Sequence, residues 1–177
     1  MANKNKTNSR LIQGIFYVLG CIIFCENSAH AQQSEALFAF EQTRTKVATL
    51  LANEHYEAAY NAWADLSDAQ LDPLQLSEKA FGSSFCGLKA GHADAVYNMQ
   101  SFATGYPLSA HADQASFLIA RYYFEKNQFA NVREWLSKVS QANLNDQEVA
   151  HYRFMQGYSA FKLGKYNAAR ADLLESR

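Results

Sequence analysis

The chain has 177 residues, 16 Lys+Arg against 17 Asp+Glu, and a formal net charge of −1. Nearly half of it is hydrophobic, 14% is aromatic and only two residues are proline, so it can bury a core and is not a disordered polymer. A chain without a basic surplus is also a poor ligand for nucleic acid, whose binding rests on Lys and Arg neutralising phosphates.

The first 31 residues read as a separate unit. MANKNKTNSR carries Lys4, Lys6 and Arg10; LIQGIFYVLGCIIF, residues 11–24, is an apolar run of 14; Ala29-His30-Ala31 closes the segment. Basic, then apolar, then small is the layout of a secretory signal peptide, and the run is short of the roughly 20 residues that span a bilayer. VLGC, ending at Cys21, is a candidate lipobox, weakened by Leu19 and by the apolar Ile22-Ile23-Phe24 beyond it. Removal of residues 1–31 leaves 13 Lys+Arg, 16 Asp+Glu and a net charge of −3. It also removes Cys21 and Cys25, so Cys86 remains alone and no disulfide forms within the mature chain.

The remainder repeats. Four stretches align: Glu54-His55-Tyr56-Glu57-Ala58-Ala59, Gly91-His92-Ala93-Asp94-Ala95-Val96, Asn127-Gln128-Phe129-Ala130-Asn131-Val132 and Gly164-Lys165-Tyr166-Asn167-Ala168-Ala169. They begin 37, 36 and 37 residues apart, and each opens on a polar or turn-forming residue. Tyr, Phe or Ala holds the third position and Ala or Val the sixth, one helical turn on. Helical stripes precede the turns: Phe81, Phe85 and Leu88; Phe117, Leu118, Ala120, Tyr123 and Phe124; Phe154, Gly157, Tyr158, Ala160 and Phe161. Further helices follow, carrying Trp63 and Leu66, Val96 and Met99, Val132 with Trp135 and Leu136, and Ala169 with Leu173. The period stays near 3.6, without sustained alternation, which predicts an all-α chain built as an α-solenoid of about four helix–turn–helix repeats. The repeats fall near residues 37–73, 74–109, 110–145 and 146–177, within a domain of residues 32–177.

The stretch AHYRFMQGYSAFKLGKYNAARADL resembles a tetratricopeptide repeat, with Gly157 at the small position of the first helix, Gly164 and Tyr166 at the turn and Ala169 in the second helix. QASFLIARYYFEKNQFANVREWLSKV is similar through Ala120, Tyr123, Phe129 and Val132. The preceding SFATGYPLSAHADQASF resembles the F-x-x-x-YP-x-S connector of periplasmic repeat proteins. Those include the repeat lipoprotein of the outer-membrane β-barrel assembly machinery and the repeat partner of the Tol-Pal system. The first two repeats depart from the pattern, with Arg44 and Val47 in the first helix of one and Gln100 at an apolar site of the other.

FGSSFCGLKAG, residues 81–91, has the glycines and serines of a catalytic loop. It lacks the G-x-S-x-G elbow, and Gly82 and Gly87 are followed by Leu88 and Lys89 where a phosphate loop needs Lys and Ser/Thr. In the repeat frame it is a helix whose Ser83, Ser84 and Gly87 let a neighbour approach. Cys86 reads as a small buried residue. His55, His92, His111 and His151 are too scattered to bind a metal, with His55 and His92 at exposed turns. No catalytic residue, metal or cofactor is expected.

The resemblance implies binding through a concave face lined by the first helix of each pair. By position that face takes Phe81, Phe85 and Lys89; Phe117, Arg121 and Phe124; and His151, Phe154, Tyr158, Phe161 and Lys162. Packing is expected to claim over half of these phenylalanines and to leave Arg121, Tyr158 and Lys162 in the groove. A peptide or helix with apolar anchors and acidic character suits such a lane. The implied protein is non-enzymatic, exported to the periplasm or outer membrane, and engaged with an envelope membrane-protein complex. The absence of a polar capping helix before Arg177 suggests either the N-terminal module of a longer protein, whose further part carries catalysis, or a self-associating homo-oligomer.

Overall fold

A computed structural model describes residues 34–174, and every described element is helical. The signal segment and the candidate lipobox lie outside the described residues. Helix α1 covers 34–52. It is followed by α2 (Tyr56–Ala64), α3 (Pro73–Ala90), α4 (Ala95–Gly105), α5 (Ala112–Glu125), α6 (Phe129–Leu136), α7 (Asp146–Lys162) and α8 (Tyr166–Leu174), with a short 3-10 turn at Gln141–Asn143.

The four aligned stretches are four copies of one turn. Glu54, Gly91, Asn127 and Gly164 are the described residues with positive φ, at 57°, 82°, 57° and 74°. The amide after each bonds back five residues: His55 to Leu50, His92 to Gly87 and Gln128 to Tyr123 at 2.9 Å, and Lys165 to Ala160 at 2.8 Å. The left-handed residue itself bonds back three, to Leu51, Leu88, Phe124 and Phe161. This is the Schellman closure, which satisfies the orphan carbonyls of a helix end and reverses the chain within a few residues. Glycine takes that conformation freely; Asn127 tolerates it, and Glu54 holds it at a cost.

The helices α3 and α7 start equally sharply. Asp72 accepts from the Gln75 amide at 2.8 Å while Gln75 accepts from the Asp72 amide at 3.0 Å. Asn145 and Glu148 do the same at 3.0 and 3.1 Å. Both are reciprocal capping boxes, and Pro73 is pre-set for the first turn of α3.

From α2 to α8 each helix packs on the next, and α5 also meets α7. Three core clusters follow the chain. Phe40 and Val47 of α1 meet Ala59, Ala62 and Trp63 of α2 and Cys86 of α3. Phe81, Met99, Phe102, Ala115, Leu118 and Ile119 join α3, α4 and α5. Phe117, Ala120, Val132, Leu136, Tyr152 and Met155 join α5, α6 and α7.

Two close approaches fix the pairings. A Cβ on Gly82 would lie 2.5 Å from Trp63 Nε1, and one on Gly157 would lie 2.7 Å from Leu173 Cγ. Residues 81–90 are therefore the C-terminal half of α3, its glycines set against α2, and Gly91 closes the helix. Gly82 admits the Trp63 indole, Gly87 lies against Tyr60, and the Ser83 and Ser84 hydroxyls donate to the Ala80 carbonyl. The polar Gln100 is accommodated because its side-chain amide donates to the Tyr123 hydroxyl at 2.7 Å.

Candidate interaction surface

Three of the lane residues converge. Phe154 and Tyr158 are four apart on α7, so they share a face and stack with ring centroids 5.8 Å apart. Phe124, in the last turn of α5, meets both, at 6.0 and 5.5 Å. The α5–α7 contact makes this possible. The sequence reading left Phe129 out of the lane. It opens α6 just beyond the Asn127 turn and closes the group, 6.1 Å from Phe124 and 5.8 Å from Tyr158. Its third place in the repeated stretch is the signal that marks it. The stacked and edge-on geometries are those aromatic pairs prefer.

The remaining lane residues separate. Phe117 is 1% exposed inside the α5–α6–α7 core and cannot line a binding surface. Phe81 is likewise buried, stacked on His111 at 4.3 Å. The two face inward because α5 and α3 each pack on a helix before and after them, so one stripe serves two neighbours. Phe85 is half-buried beneath Lys89, whose Nζ is 5.8 Å from the ring centre. His151 and Phe161 are exposed and outside the four-ring group, Phe161 meeting Tyr166 at 5.7 Å.

Cations border the rings. Lys162 Nζ lies 5.3 Å from the Tyr158 ring centre. Arg121 is half-buried one turn before Phe124 and makes no ion pair or hydrogen bond among the described residues. The ion pairs among those residues are Arg44–Glu41, Lys79–Asp68, His92–Glu57 and Lys138–Glu134, so Lys89, Arg121 and Lys162 all lack a carboxylate there. A half-exposed aromatic platform with unpaired cations can hold an apolar anchor and a nearby acidic group.

Other chemistry-bearing residues are used structurally. Cys86 is fully buried, and burial outweighs a backbone hydrogen bond to push its thiol up to about 11, away from thiolate chemistry. Burial also raises Tyr152, whose hydroxyl donates to the Leu136 carbonyl at 3.1 Å. His92, expected to be exposed, is tied to Glu57 at 2.7 Å and edges onto Tyr60 at 4.4 Å, linking the first two turns. Among the described residues no cluster of three His, Cys, Asp or Glu could hold a metal, and no helix is long and apolar enough to cross a membrane. Comparison with protein families, curated proteins and solved structures finds no match.

Proposed function

We propose that this chain is a tetratricopeptide-type solenoid, exported to a bacterial envelope, that works as a non-enzymatic scaffold. It holds a protein partner against the aromatic group of α5, α6 and α7. The observation that carries this reading is the four-ring cluster of Phe124, Phe129, Phe154 and Tyr158, bordered by Arg121 and Lys162 without carboxylate partners. Phe154 keeps 44% of its surface exposed although it belongs to an ordered ring stack. Such an arrangement favours a partner segment with an apolar anchor and acidic neighbours.

The repeat reading draws support from the four identical left-handed turns at intervals of 37, 36 and 37 residues. A non-catalytic role is favoured by the structural use of Ser83, Ser84 and Cys86. Export rests on the basic–apolar–small layout of residues 1–31 and predicts a mature N-terminus at Gln32, which N-terminal sequencing of envelope-purified protein tests.

The binding test is capture from envelope extract by the wild type beside an Arg121→Ala, Tyr158→Ala, Lys162→Ala variant whose helicity is verified by circular dichroism. A partner held by the wild type and lost by the folded variant supports the scaffold reading. Equal capture by both places binding elsewhere on the molecule.

A further inference from the structure

The fourth turn differs from its three counterparts in chemistry while sharing their backbone. Residues 161–166, FKLGKY, are all exposed. Phe161, Leu163 and Tyr166 keep 51%, 41% and 65% of their surface in solvent. At the position of Leu163 the other turns carry Asn53, Ala90 and Lys126; at that of Lys165 they carry His55, His92 and Gln128. Only this turn combines three exposed large apolar side chains with two lysines and no carboxylate.

Helix stability does not account for that composition. Lys162, in the last turn of α7, is favoured by the helix dipole. Lys165 immediately precedes α8, at the positive end of that helix, where a cation is disfavoured. Neither lysine joins an ion pair among the described residues.

We propose that the α7–α8 turn is a docking tip for an anionic lipid surface. Phe161, Leu163 and Tyr166 enter the interfacial layer, where aromatic rings with a polar edge reside. Lys162 and Lys165 extend alongside to the lipid phosphates, as long cationic side chains do at membrane interfaces. The tip shares Lys162 with the border of the four-ring cluster, whereas Phe161, Leu163, Lys165 and Tyr166 lie outside that cluster and carry the tip's own test.

The test is hydrogen exchange of the full chain, with the N-terminus that the cell leaves on it, read at the peptide spanning residues 161–166. Any membrane affinity of the N-terminal segment acts equally on wild type and variant, so their difference reports the tip itself. Vesicles of phosphatidylglycerol and phosphatidylcholine in equal parts are compared with phosphatidylcholine alone. A Leu163→Ser, Lys165→Glu variant is measured in parallel; both side chains are exposed and lie outside the partner-binding group. The proposal expects protection of the tip by the anionic vesicles only, lost on adding salt. In the variant, the lipid concentration for half-protection rises on the order of tenfold or more, since each cation near an anionic surface contributes about fivefold. An unprotected tip, equal protection by phosphatidylcholine alone, or unchanged protection in the variant overturns it. So does a tip protected by an envelope protein but by neither vesicle, which makes the turn a protein contact.

Discussion

Replacing Gly82 by alanine tests the packing logic of the N-terminal half. Gly82 sits in the middle of α3, where Gly→Ala ordinarily stabilises a helix by about 1 kcal/mol. Here the new Cβ would lie 2.5 Å from Nε1 and 2.7 Å from Cε2 of Trp63, against an ordinary contact of 3.4–4 Å. The indole would have to retreat by roughly 1 Å. It is rigid, 3% exposed and already packed 5.9 Å from Phe40, so no flexible end can swing aside. Overpacking of this kind costs about 1–3 kcal/mol, and a rigid ring places the cost at the upper end. After subtraction of the helix gain, Gly82→Ala should lose about 2 kcal/mol and lower Tm by about 4–8 °C. Gly105 is the matched control: it ends α4, has no atom within 4 Å of its would-be Cβ, and should gain up to about 0.5 kcal/mol as alanine. Thermal melts of both variants followed by circular dichroism decide the matter, with tryptophan fluorescence reporting the displaced indole. If Gly82→Ala stabilised the protein as much as Gly105→Ala, the α2–α3 packing described here would be wrong.

Gly157→Ala should act locally, because its Cβ would meet Leu173 Cγ at 2.7 Å and Asp172 Cβ at 3.1 Å. Amide exchange across α8 should quicken by roughly tenfold, while α3 and α5 exchange as before. Asp72→Ala and Asn145→Ala each remove a capping box and should cost about 1 kcal/mol in denaturant unfolding, with Asp72→Asn retaining most of the stability. Cys86 gives an alkaline signature. Its folded thiol titrates at about 11 against 9.0 when free, so its contribution is complete below pH 9 and is lost as pH rises toward 11. The loss amounts to about 3 kcal/mol, and unfolding of Cys86→Ala across that window should show a correspondingly flatter pH dependence.

Much of the architecture was legible because it is local. A 3.6-residue apolar period with polar or glycine punctuation every 36 or 37 residues located the helices and all four turns. The binding lane was legible only in part. Phe117 and Phe124 lie on the same helix, seven apart, and pattern alone treats them alike; one is core and the other meets the exposed rings. Phe129 was visible as a repeat position, but its meeting with Tyr158, 29 residues on, needs α6 and α7 side by side.

By itself, then, the sequence determined what depends on neighbours along the chain: the all-helical state and the places of the four turns. Tertiary structure decided which side of each stripe is covered. It seated Trp63 on Gly82 and Leu173 against Gly157, buried Phe117 and gathered the aromatic cluster. The reason is geometric: α3, α5 and α7 each pack on the helices before and after them, and only the relative placement of helices distant in sequence selects which side chains remain in water.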